Sequence, residues 1–125
     1  MLSLEDLKNY SEEYVKQHIV GHYKASQEEV DKFEILIAYE SVGSWGCDSS
    51  SFFLLRNKET SELFEVHGSH CSCYGFEGQF NPEYTVVEAL KYRAKKRGVF
   101  SAGGYDNDMD MNIELVNEFI LKMEE

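Results

Sequence analysis

Two imidazoles and two thiols fall within seven consecutive residues of this chain, in the run His67-Gly68-Ser69-His70-Cys71-Ser72-Cys73. Side chains of these types do three kinds of work: they hold a transition metal, they form an imidazole-activated thiolate, or they pack as small groups in a tight turn. A tetrahedral zinc site takes about four nitrogen or sulfur ligands. His67, His70, Cys71 and Cys73 supply that set, with Cys47 as a distant fifth candidate. The Cys-x-Cys spacing is tighter than a zinc knuckle uses, which weakens the zinc reading. A Cys–His enzyme acting on an acyl or thiol substrate needs an imidazole beside the sulfur. His70 and Cys71 are adjacent, so on an extended strand they point to opposite faces. His67 or His70 against Cys73 is easier geometry, but no acid that would orient the imidazole is evident. The third reading, a compact structural turn between Gly68 and Gly75, is the one the spacing favours.

Two other charged runs have plainer explanations. Asp106-x-Asp108-x-Asp110 begins like a calcium loop, but Met111 stands where the sharp turn needs glycine and Asn117 where a bidentate glutamate belongs. It reads as an acidic lead-in to a final helix, favourable to the helix dipole. Lys91, Arg93, Lys95, Lys96 and Arg97 hold five of the twelve basic residues. They read as a solvated helix face paired with some of the chain's many carboxylates.

The formal net charge is −11 over 125 residues. Such a charge argues against direct nucleic-acid binding and favours partners with a basic surface. Trp45, Tyr74, Phe76, Phe80 and Tyr105 sit on glycine-bearing loops, and loop aromatics either cover the core or anchor a partner. Trp45, Tyr74, Phe76 and Tyr105, with Asp48, Glu77, Asp106 and Asp108, make the expected partner-binding surface, both aromatic and acidic.

A composition of 42% hydrophobic and 14% aromatic residues is that of one globular domain over residues 1–125. No apolar run approaches the length of a membrane span. The polar, acidic start MLSLEDLKNY does not read as a signal peptide. Three cysteines, two of them one residue apart, suit free thiols in a reducing cytoplasm.

The elements that must position these groups are legible in outline. Ser3, with Asp6 three residues on, predicts an N-capped first helix carrying Leu4, Leu7, Tyr14, Val15 and His18 and stopping near Gly21. Ser26-Gln-Glu-Glu29 predicts a short second helix. Phe33–Glu40, Ser51–Arg56 and Glu62–His67 predict three strands, with Ile35, Ile37 and Tyr39 on one face of the first and a turn at Asn57–Ser61. Thr85 is the expected cap of a helix bearing Val86, Val87, Ala89, Leu90 and Ala94, ended by Gly98. A last helix spans about 112–123, with Ile113, Val116, Ile120 and Met123 as its stripe, widened by Leu115 and Phe119. The predicted class is α+β: a three-stranded antiparallel meander packed against N-terminal and C-terminal helices.

The segment Phe64-Glu-Val-His-Gly-Ser-His-Cys-Ser-Cys-Tyr-Gly-Phe-Glu-Gly-Gln-Phe-Asn-Pro-Glu83 resembles a family of small bacteriophage and prophage proteins. That family shares the pattern E-V-x-G-S-H-C-S-C-Y-G-x-E-x-Q-[WF]-x-P-E followed by a threonine-capped helix. The likeness runs from about residue 38 to 97, and Phe80 stands where many members carry tryptophan. The family has no assigned activity, so the resemblance transfers no catalytic residues. It implies a host bacterial cytoplasm and an accessory role. Small acidic phage proteins often bind and block a host protein, including defence nucleases of the CRISPR kind. The expectation is therefore an inhibitory binding protein of anti-CRISPR type without a cofactor. A small zinc protein or a Cys–His enzyme is the alternative.

Overall fold

A computed structural model describes residues 2–5, 11–42, 49–70, 78–96 and 110–123. The chain runs β1 (Leu2–Glu5), α1 (Glu12–Tyr23), α2 (Gln27–Val30), β2 (Phe33–Val42), β3 (Ser49–Asn57), β4 (Leu63–His70), β5 (Glu83–Thr85), α3 (Val87–Lys96) and α4 (Asp110–Leu121). The five strands form one sheet in sequential order, β1 to β5. Strands β2 to β5 are antiparallel to their neighbours, whereas β1 lies parallel to β2. The class is α+β, as expected. The predicted meander is β2–β3–β4, and one further strand extends it on each side.

β1 corrects the first prediction. Ser3 lies in a strand, its Cα opposite that of Ala38, and caps no helix. The cap is Ser11, whose Oγ accepts the N–H of Tyr14 at 3.2 Å, with Glu12 and Glu13 in the first turn. Gly21 does not stop α1. The helix continues to Tyr23 and ends at Lys24, which takes the left-handed conformation at φ 57°. Ser26 caps α2 as expected, accepting the N–H of Glu29.

The sheet is covered on both faces. α1 and α2 press Val15, Ile19, Tyr23 and Val30 onto Phe33, Ile35, Ala38, Phe53, Leu55, Val66 and Phe80. α3 and α4 press Leu90, Val116 and Ile120 onto Ile37, Tyr39, Phe52, Leu54 and Leu63. Two-sided cover explains the unbroken apolar run Phe52-Phe53-Leu54-Leu55, each at most 1% exposed. Burying each such side chain contributes about 1.5–3 kcal/mol.

Ile35 does not share a face with Ile37 and Tyr39. A bulge between Ile35 and Ile37 inserts an extra residue, so Ile35 joins the α1 side while Ile37 and Tyr39 join the α3–α4 side. The β3–β4 turn is as predicted: Asn57 Oδ1 accepts the N–H groups of Glu59 and Thr60, and Ser61 closes the turn at φ 64°.

Thr85 is the last residue of β5, opposite Leu63, rather than the helix cap. On α3, Leu90 is fully buried, Val87 and Ala94 are half-buried and Ala89 is exposed; Val86, expected on this helix, precedes it and is exposed. On α4, Val116 and Ile120 carry the contact, Phe119 flanks it together with Met123 just past the helix end, and Leu115 is exposed; the side chain of Ile113 lies outside what is described. Gly98 lies outside the described residues. Among the described residues, no helix is long and apolar enough to cross a membrane.

Candidate functional site

The best-defined polar cluster lies where β4, β5 and α3 meet. Glu65 sits one position before the strand residue Val66 that points into the α1 core, so its own side chain turns to the α3 side. There Glu65 Oε1 is 3.0 Å from His67 Nε2, and Oε2 accepts from Arg93 Nη2. Thr85 also donates its hydroxyl to Glu65. Glu65 is 7% exposed. Burial on its own would raise the carboxyl pKa, but the hydrogen bonds from His67, Arg93 and Thr85 outweigh it and hold the group at about 2. The His67 ring packs against Phe52 at 5.0 Å and remains exposed.

A second cluster lies on the α1 side. Glu40 Oε2 accepts the Tyr23 phenol at 3.0 Å and is 2.8 Å from His18 Nε2. His22, one turn after His18, stacks on its ring at 4.2 Å. Burial and then the negative charge of Glu40 push the Tyr23 hydroxyl well above its ordinary pKa. Ser51, opposite Glu40 in the ladder, is buried beside the phenol, and among the described residues its Oγ makes no hydrogen bond of good geometry.

The third feature is a groove of about 330 Å³ at the β5 edge, lined by Ser61, Glu62, Leu63, Tyr84, Thr85, Val86, Val87 and Glu88. Tyr84 is 60% exposed and Val86 41%. Tyr84 is held upright by an edge-on contact with Phe64, which meets Phe33, which meets Phe80. A row of aromatic rings thus joins the core to the groove. Phe80 covers the core, as one of its two expected roles required.

The expected sites divide sharply between described and undescribed residues. Trp45, Asp48, Tyr74, Phe76, Glu77, Tyr105, Asp106 and Asp108 lie outside the described residues, as do Cys47, Cys71 and Cys73. His67 and His70 both belong to β4, in an unbroken register with β3. The placement of the His70 side chain lies outside what is described. Among the described residues, no group of three or more His, Cys, Asp or Glu is placed to hold a metal ion.

Glu65, Arg93 and Thr85 were not singled out as a cluster in the sequence. The legible signal was Glu65-x-His67 on a strand, a spacing that puts a carboxylate and an imidazole on one face. For the α1 cluster it was His18-x-x-x-His22 on a helix. Of the basic run on α3, Arg93 is paired with a carboxylate as expected. Comparison with protein-family models, with curated proteins and with solved structures matched nothing.

Proposed function

We propose that this chain is a non-enzymatic binding protein of bacteriophage origin. It blocks or redirects a host protein with a basic surface, in the manner of an anti-CRISPR inhibitor that occupies a nucleic-acid groove. Phage origin and host setting rest on the resemblance of residues 64–83. The observation that carries the binding role is the apolar groove at Leu63, Tyr84, Val86 and Val87, bordered by Glu62 and Glu88, in a chain of net charge −11. Apolar floor with acidic rim suits a basic partner: the floor supplies affinity and the rim supplies selection and speed of encounter. The test is capture of a basic host protein by the untagged chain at low salt. Release on raising salt supports the reading, and a chain that retains no basic protein refutes it.

One observation favours the alternative Cys–His enzyme. Glu65 supplies the orienting carboxylate that the residue order did not reveal, and it holds Nε2 of His67, leaving Nδ1 as the ring nitrogen not engaged by Glu65. Alkylation of the thiols across pH decides this reading. A thiol that reacts fully below its ordinary pKa, and loses that reactivity in His67→Gln, supports it; ordinary thiols refute it. Zinc analysis of tag-free protein, with one equivalent expected for a structural site, tests the metal reading.

A further inference from the structure

β5 is the last strand of the sheet, and among the described residues no strand lies beyond it. An edge strand presents unpaired N–H and C=O groups, and proteins commonly blunt such edges with charges or short strands. β5 is short, at three residues, and Glu83 is exposed on it. Yet beside that charge it presents Tyr84, followed directly by Val86, both well exposed, over a groove lined also by Leu63 and Val87. A blunted edge has no use for this apolar surface. The groove lining contains two carboxylates, Glu62 and Glu88, and neither a lysine nor an arginine. Among the described residues, apolar lining, an acidic rim and the last strand of the sheet coincide at one place.

We propose that the β5 edge takes an extended basic segment of a partner protein by strand addition. The segment's backbone pairs with β5, an apolar side chain enters the groove against Tyr84, Val86 and Val87, and a neighbouring lysine or arginine lies against Glu62 and Glu88. This rests on the reading of the chain as a binder of basic partners, and it names the surface and the mode.

The full chain is screened by fluorescence anisotropy against synthetic peptides of about ten residues that combine lysine or arginine with valine, isoleucine or tyrosine. The tightest binder is remade with N-methyl groups on alternate amides, in both phases. Strand addition predicts that one phase abolishes binding and the other preserves it, because only alternate N–H groups face the edge. The Glu62→Lys/Glu88→Lys double variant should bind at least about tenfold more weakly at low salt, and Val86→Thr should also weaken binding. Circular dichroism of both variants establishes that the fold is retained. Equal binding by the double variant, or equal binding by both N-methylated peptides, overturns the proposal while the wider reading stands. A preference for acidic peptides overturns both. So does the failure of every basic peptide together with the failure to capture any basic protein. Sedimentation showing a dimer that Val86→Thr dissociates assigns the edge to a second copy of this chain, and also overturns the proposal.

Discussion

The carboxylate of Glu12, in the first turn of α1, accepts the backbone N–H of Ile35 on β2 at 2.9 Å. Ile35 is the residue at which the β2–β3 register shifts. A bulge leaves backbone groups outside the ladder, and a buried N–H without an acceptor is costly. Glu12 supplies the acceptor from a neighbouring layer. It also lies 3.8 Å from the ammonium of Lys16, a nearly buried lysine whose pKa is lowered chiefly by desolvation.

Glu12→Ala should therefore cost about 1–3 kcal/mol of unfolding free energy, the range for leaving a buried donor unsatisfied. Glu12→Gln keeps an oxygen acceptor and should cost less. Glu13→Ala, exposed on the same turn, should stay within about 0.5 kcal/mol. Urea denaturation of the three variants measures the order.

Glu65 makes stability depend on acid. Its folded pKa, about 2, lies below the ordinary 4.5. The contribution is therefore complete above about pH 5 and is lost as pH falls towards about 2. The shift corresponds to at most about 3 kcal/mol, reduced because Arg93 and His67 are partly exposed to solvent. Glu65→Gln should lower stability at neutral pH and flatten its dependence between about pH 5 and pH 2. Urea midpoints across that range check both; an unchanged pH slope would show that the cluster contributes nothing.

Tyr23 works in the opposite direction of pH. Its hydroxyl is buried against Glu40 and its pKa is raised. A folded pKa above the unfolded one gives a contribution that is full below about pH 10 and fades as pH rises further. Tyr23→Phe leaves Glu40 with one fewer donor, and should cost about 1–3 kcal/mol at neutral pH. The variant should also lose less of its remaining stability on passing into alkali. Thermal unfolding at neutral and alkaline pH reads both effects.

Ser11 caps α1, and Ser3 caps nothing. Ser11→Ala should cost about 1 kcal/mol, while Ser3→Ala removes no cap. Chemical denaturation of the two single variants distinguishes the start of α1 at residue 12 from the start the sequence pattern suggested near residue 4.

Much of the fold was legible because it depends on neighbours in sequence. The β3 run Phe52–Leu55, the Asn57–Ser61 turn and the Ser26 cap are local patterns of apolar spacing, turn chemistry and hydrogen bonding. So is the Val116–Ile120 stripe of α4. Each survives into the structure because nothing distant overrides it. The acidic balance of the chain was also a matter of sequence alone.

The rest was decided by residues far apart in the chain. Two serines each preceded an acidic run, and pairing with β2 made the first of them part of a strand. Ile35 and Ile37 fit a simple alternation until a bulge, answered by Glu12 from another layer, turned them to opposite cores. Glu65 and Arg93 are 28 positions apart, so the carboxylate that orients His67 and the cation that holds it low in pKa meet only after α3 folds back over β4. Position 67 stood out in the sequence by its residue type and neighbours alone. That it shares a face with Glu65 and Phe52 follows from the alternation of a strand whose register is set by its pairing with β3.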